Sequence, residues 1–378
     1  MRTNTRRPGF ALAVALFAMV VIGALIAGAF FASTQEFRIG RNTLMQTAAM
    51  TVADAGQAGA IAGWDNTWNG KMKNGDVIRV DTIGPNWELH ATITRLNQTT
   101  FWLVSEGTVT PGSQSQSRRR TGMVLRLAMP MMNFKGGLTT RGAVTVGGSS
   151  EVSGFDTNPV GWNDCPIPDG STDKPGVVVD NAADVVCKQA GSCVGNPPTA
   201  VDPTVDDTTL YFDYGNTDWA QMTAGAKMVT PGSFNRPTPS YKPDGSCNTA
   251  DLNNWGDPRR STPAGACESY FPIIYAPGDL LVNGDYGQGV LLVEGNMDVQ
   301  GNMQWAGPVI VRGRVELRGT GGVNSKFTGG IMAADVLLDS QSVSGNATVM
   351  YSRCALLTAL ANSSFVVPAD ERAWTDLY

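Results

Sequence analysis

Histidine is all but missing from this 378-residue chain: His90 is the only one. Cysteine does not occur before Cys165, and nowhere do two cysteines stand as a Cys-x-x-Cys pair. Together these gaps remove the usual donor sets for zinc. No Gly-x-x-x-x-Gly-Lys-Ser/Thr loop is present to cradle a nucleotide phosphate. His90 has no serine or cysteine nucleophile motif around it, which makes it a satisfied or exposed strand residue rather than a general base. Charged residues are sparse at 16%, and the net charge of −5 argues against a nucleic-acid surface. Glycine is abundant at 44 residues, but without the strict collagen triplet and with 42% hydrophobic residues the chain is not low-complexity. The expectation is a protein with no enzymatic role, no cofactor and no metal site, long enough for two or three domains.

What the sequence does have begins at its amino end. Arg2, Arg6 and Arg7 precede an uncharged apolar run from Phe10 to Ala32, through Val14 and Leu25. As a helix this run is roughly 35 Å long at about 1.5 Å per residue, enough to cross a bilayer core. A cleavable secretory signal has a shorter core and a cleavage site after it. Here the small residue Gly9 lies before the run, so cleavage between Gly9 and Phe10 keeps the helix. A plain signal anchor is the alternative. In either case the basic flank predicts a single-pass membrane helix with a cytoplasmic amino end and an exported remainder.

The basic leader ending in Gly9, followed by aromatic Phe10 on a long apolar helix, resembles the leader of type IV pilins and pseudopilins. Most pilins carry Glu at the fifth mature position, where this chain has Val14; PilX-like minor pilins often lack that Glu, and the resemblance is to them. It implies processing by a prepilin peptidase and partners among other pilin or minor pilin subunits.

Beyond the apolar run, Phe37, Leu44, Ala48, Val52, Ala55 and Gly59 continue a stripe at helical spacing to about Gly63. A short amphipathic linker helix is the other reading. Residues 76–130 hold four runs rich in β-branched and aromatic residues, such as Trp87 to Thr94 and Phe101 to Ser105, separated by turn formers. They predict an antiparallel meander with one face on the helix. The triplet Arg118-Arg119-Arg120 reads as a solvated edge strand in preference to an anion site.

From Asn133 the pattern changes. Gly137, Gly142, Gly148 and Gly154 recur at short intervals, and Gly295, Gly301, Gly307, Gly313 and Gly319 follow a strict period of six with alternating apolar residues between them. This predicts a β-solenoid, with a Gly-rich antiparallel sandwich as the alternative. Residues 155–270 lack periodic runs and hold five of the 6 cysteines. They read as an insertion stapled by disulfides on the exported side. Cys247 and Cys267 are expected to pair. Cys165, Cys187 and Cys193 leave two further pairings, one of which must use Cys354 if all are oxidised. Asp202, Asp206, Asp207, Asp213 and Asp218 crowd one segment but lack EF-hand spacing. Asp279, Asp285, Glu294 and Asp298 are the carboxylates that a solenoid glycosidase or lyase would draw on, although such groups are mostly solvated.

The tail Tyr351-Ser352-Arg353-Cys354-Ala355 and the later Arg372 to Tyr378 are similar to the carboxyl-terminal parts of PilX-like pilus assembly proteins with a Gly-rich β domain. That resemblance covers the first 130 residues and about 271–378. The expected architecture is α+β and all-β: a long transmembrane, pilin-like helix on a small antiparallel sheet, followed by a β-solenoid with a disulfide-rich insertion. Its segments are a leader 1–9, helix 10–63, sheet 64–130, solenoid 131–154 with 271–355, insertion 155–270, and helix and tail 356–378. The expected role is a minor pilin-like subunit at a filament tip or in an initiation complex, meeting a large tip adhesin or a surface ligand. A membrane-anchored binder of carbohydrate or of an envelope partner is the alternative.

Overall fold

The computed structural model describes residues 10–112, 115–215, 217–260, 265–318, 324–338, 347–369 and 373–377. The expected leader 1–9, including Gly9, lies outside them, as do Gly319 and residues 339–346. Two compact units result. One gathers Met1–Gly63, Gly75–Leu125 and Pro368–Tyr378, the other Trp64–Asn74 and Arg126–Val367. The expected boundaries at 64 and 130 therefore shift, and the expected segment 356–378 divides at Pro368.

In the first unit, helix α1 (Phe10–Ala62) runs for 53 residues. Strands β1 (Val77–Ile83), β2 (Trp87–Arg95), β3 (Thr100–Gly112) and β4 (Ser115–Ala128) lie in that order, with β1–β2 and β2–β3 antiparallel. Strand β2 shows why one face meets the helix. Leu89, Ala91 and Ile93 are buried, while Glu88 and His90 alternate with them on the exposed face. The tail strand Trp374–Leu377 adds antiparallel to β4, and the Trp374 indole donates to Asp54 of α1 at 3.4 Å. The arginine triplet splits by the same period of two. Arg118 and Arg120 reach Glu106 on β3, and Arg119 donates to Gln46 of α1 at 3.0 Å.

The second unit holds a 17-stranded sheet whose described ladders are all parallel. Ile273 faces Val290, Leu291 faces Val309, and Met297 faces Val315, so one circuit takes about 18 residues. Each circuit makes three short strands, as in Ile273–Ala276, Leu280–Val282 and Tyr286–Gln288. The six-residue glycine period is thus one side of a three-sided turn. Inward residues such as Leu280, Val282, Met297, Val299, Val315 and Leu317 form a continuous core. One side is buried on both faces, which explains the unbroken run Val290-Leu291-Leu292-Val293. Its outer residues Ile273, Leu292, Ile310 and Met332 pack with Tyr211, Tyr214, Met222, Leu356 and Leu360. The next side alternates, with Met297 and Val299 inside and Asp298 and Gln300 only half-buried.

The expectation of a separate insertion at 155–270 is corrected by these ladders. Val177–Val179 pairs with Leu138–Thr140, Thr199–Val201 with Val177–Val179, and Lys227–Met228 with Ile274 and Tyr275. The segment supplies circuits of the same sheet at both of its ends. Its strands are only two or three residues long, separated by loops of unequal length, so no period appears in the sequence. The stacking order also departs from chain order. Leu138–Thr140, the first strand of this sheet, lies against Ile331–Ala333 near its last.

Corner glycines allow the circuits to stack. Gly307 has φ +131°, and a Cβ there would run into the Gly289 carbonyl and come within 2.9 Å of Ala359 Cβ. Only glycine occupies that backbone region without strain. Gly307→Ala is expected to cost about 3 kcal/mol, whereas Gly148→Asn, at φ +63° with nothing within 4 Å, should cost well under about 1 kcal/mol. Urea unfolding of the two full-length variants checks the contrast; equal midpoints would show that the corner does not constrain the stack.

Candidate functional site

Most of the exposed large apolar side chains of the first unit lie on the long helix. From Phe10 to Ala48 no residue is buried, and Phe10, Leu12, Phe17, Leu25 and Phe30 are each more than three-fifths exposed. Among the described residues α1 is the one helix long and apolar enough to cross a membrane. Its most apolar window has mean hydropathy 2.8 and no buried residue. The hydroxyls of Thr34, Thr43, Thr47 and Thr51 donate to carbonyls one turn back, so these polar groups are satisfied within the helix. Phe10 is the first described residue and already helical; Val14, Leu25 and Ala32 all lie on exposed turns.

Past Ala48 the same helix becomes part of a packed unit through small residues. Ala49, Ala53, Gly56 and Ala60 are buried at three- and four-residue spacing. The approach to the sheet is close. A Cβ on Gly107 of β3 would strike the Ala49 carbonyl and lie 2.5 Å from the Ala53 amide nitrogen; one on Gly56 would lie 2.6 Å from Leu89 Cδ1. The sequence stripe was visible, but the demand for glycine at 107 was not, because it depends on which strand passes beneath the helix.

In the second unit the cysteines pair as Cys165–Cys354, Cys187–Cys193 and Cys247–Cys267. Cys354 opens the helix Arg353–Asn362 and ties it to a loop 189 residues earlier. The Asn254 amide donates toward both Cys247 and Cys267 sulfurs and to the Asn248 carbonyl, filling the space inside that loop. Lys227 fastens the loop to the sheet: its Nζ donates to the carbonyls of Asp251, at 2.6 Å, and Asn254, at 3.0 Å, beside the Tyr270 ring. Burial lowers the Lys227 pKa to about 8, against a smaller opposing pull from Asp251. No sequence signal marked this lysine.

Several of the acidic residues singled out in the sequence are engaged locally. Asp202 accepts from Lys135 Nζ at 2.7 Å and from the Thr204 amide, which hold its pKa down to about 2. Asp207 and Asp213 cap turns, and Asp218 closes a capping box with Gln221. Asp279 accepts from the Asn296 amide, and Glu294 pairs with Arg312. Among the described residues no three metal-ligating side chains converge. His90 is exposed and bonds Asp81 at 2.8 Å, and that bond, with Glu88 and Glu106 nearby, raises its pKa against a weaker desolvation effect.

No family model matches the chain, and no curated protein does. Among solved structures it is similar to the competence-associated pilin ComZ from Thermus thermophilus, at 15% identity over 89% of this chain and 97% of that one, with a TM-score of 0.23. A TM-score that far below 0.5 does not establish a common fold.

Two variants and a pH series test the seam and the buried lysine. Gly107→Val should destabilise the protein by about 3 kcal/mol through overpacking, while Gly59→Ala, with open space around it, should be neutral or stabilising by up to about 1 kcal/mol. Similar melting temperatures for both would contradict the close approach. For Lys227 the folded state holds its proton less tightly than the unfolded chain, so between pH 8 and the ordinary lysine range the unfolded state binds more protons. Stability should therefore rise with pH in that window relative to Lys227→Met. A flat difference between the two denaturation series would show that the amine is not desolvated.

Proposed function

We propose that this protein is a pilin-like structural subunit, inserted in the inner membrane by α1 and displaying a β-solenoid head formed by the second unit. The observation that carries the reading is the division of one continuous helix. Its first part buries nothing in its own chain, and its second part packs by small residues under an antiparallel sheet. A bilayer and then a bundle of neighbouring subunit helices would cover the uncovered part in turn, and the exchange of lipid for helix keeps its apolar side chains dry. On this reading Gly9–Phe10 is the processing site, and the amino end faces the cytoplasm because Arg2, Arg6 and Arg7 precede the helix.

The finer placement follows from size. Packed helices sit about 8–10 Å apart, and a unit of more than 200 residues is several times wider. The proposal is a PilX-like minor pilin at a filament tip or in an initiation complex, where copies need not repeat at every helical position. A membrane-anchored binder of carbohydrate or of an envelope partner is the second reading. It is favoured by a groove of about 570 Å³ along the polar side of the sheet, lined in part by Asp279, Asn296, Asp298, Arg314 and Glu316.

Mass spectrometry of the membrane-extracted protein should find Phe10, with or without N-methylation, as the first residue. Intact Met1 would reject the pilin-type leader and leave a plain anchor. Immunogold labelling against residues 155–270 should mark filament ends. Labelling along the whole shaft would reject the tip placement, and labelling of the envelope alone would favour the second reading.

A further inference from the structure

The second unit has a further cavity that shares no residue with the polar groove. It measures about 380 Å³ and opens between the helix Arg353–Asn362, the chain at Met132 to Phe134 and the loop at residues 171–174. That is the size of a site for a small molecule. Part of its lining is apolar. Phe134, Tyr351, Leu356 and Leu360 are nearly buried, while Leu357, in the same lining, stays 48% exposed.

The rest of the lining is polar and carries two cations. Lys174 and Arg353 both line the cavity, and neither charged end has a hydrogen bond or ion pair among the described residues. Their backbones, by contrast, are anchored. Lys174 N–H donates to the Gly154 carbonyl at 2.9 Å, and its carbonyl accepts from Asn196 N–H at 3.0 Å. Arg353 N–H donates to Asp156 at 2.9 Å, and the next residue, Cys354, is tied to Cys165. Asp156 lies outside the lining, with one oxygen accepting from Arg353 N–H and the other from the Thr172 hydroxyl at 2.5 Å. Asp173 does line the cavity and accepts from Asp156 N–H at 2.9 Å. Two cations against this one carboxylate leave a single net positive charge on the lining. Tyr351 adds a donor. It is 6% exposed, its hydroxyl has no partner among the described residues, and its oxygen is not sealed in as the unpaired Tyr211 hydroxyl is. Burial, with Asp156 nearby and against a smaller effect of Arg353, raises its pKa, so the hydroxyl keeps its proton at neutral pH.

We propose that this cavity binds a small apolar carboxylate: an aromatic or branched aliphatic group seated against Phe134, Leu356 and Leu360, and a single carboxylate held by Arg353, Lys174 and the Tyr351 hydroxyl. One net positive charge selects one negative charge in preference to a phosphate dianion, and the guanidinium fork matches the two oxygens of a carboxylate. The apolar wall gives an inorganic anion no advantage. It favours a ligand whose body leaves water on binding and covers Leu357 as it does so. The same chemistry occurs in a free organic acid and at the free carboxyl terminus of a chain that ends in an apolar residue. The site lies wholly within the second unit, so it stands whether or not α1 enters a filament.

Ligand-observed NMR with 4-phenylbutyrate tests the site on the full-length protein in nanodiscs, with empty nanodiscs as the blank, since a detergent would compete for the apolar wall. Binding is expected at a Kd of about 1 mM or tighter, with 4-phenylbutyramide weaker by about tenfold. Arg353→Gln and Lys174→Gln should each weaken the acid by about tenfold and leave the amide unchanged, which also shows that the cavity is still folded. Tyr351→Phe should weaken the acid by a smaller factor. Asp173→Asn, which keeps an acceptor for Asp156 N–H, should strengthen it. The peptide acetyl-Ala-Leu-Phe, as free acid and as amide, separates the two sources. Tighter binding of the peptide acid than of phenylbutyrate assigns the cavity to a carboxyl terminus; binding no tighter assigns it to a free acid. No saturable binding of either acid, equal binding of acid and amide, a preference for 4-phenylbutylamine, or acid binding indifferent to both Arg353→Gln and Lys174→Gln would each overturn the proposal.

Discussion

An apolar helix that the described residues of its own chain do not cover is the constraint on which the rest of this protein depends. Burying a large aliphatic or aromatic side chain is worth about 1.5–3 kcal/mol, and the exposed ones between Phe10 and Leu44 sum to some tens of kcal/mol. An apolar surface of that size is one that lipid or other helices would cover. Within the first unit, the stretch of α1 beyond Ala48 is built so that the helix can also be held firmly by a sheet. Small residues at 49, 53, 56 and 60 let β2 and β3 come close, and Gly107 removes the last obstacle.

The second unit solves a different problem, which is how a chain rich in glycine and poor in long apolar runs forms a core. Three short strands per circuit each contribute one or two inward side chains, and the parallel ladder stacks like on like: Leu280 near Met297, Met297 near Val315. The interior is narrow, so a few residues per circuit fill it. The outer faces then differ by what lies over them. The face under Tyr211, Tyr214, Met222, Leu356 and Leu360 is apolar on both sides, while the neighbouring face carries Asp298 and Glu316 outward. Three disulfides and the Lys227 hydrogen bonds tie loops, short strands and the helix Arg353–Asn362 together, where strands too short to hold themselves leave chain entropy to be offset.

Charge is used sparingly and locally. The arginine triplet, which in sequence looks like a patch, is divided by strand alternation between Glu106 and Gln46. Asp202, Asp207, Asp213 and Asp218 cap turns and helices. Both clusters illustrate one rule: residues adjacent in sequence point in different directions once a period of two or an N-cap is imposed.

The sequence by itself determined the elements whose signal is local. The apolar run, the helical stripe beyond it, the alternation in β2 and the six-residue glycine period all depend on neighbours within one or two turns. They mark a long helix, an antiparallel sheet and a repeating β unit. Only the tertiary structure decided what depends on contacts across tens or hundreds of residues. It set Leu138 beside Ile331, joined Cys165 to Cys354, drew Val177–Val179, Thr199–Val201 and Lys227–Met228 into the sheet and required glycine at 107. A strand of two or three residues carries no periodicity of its own. Its place is fixed by backbone hydrogen bonds that every residue but proline can make, and those bonds leave little mark in the sequence.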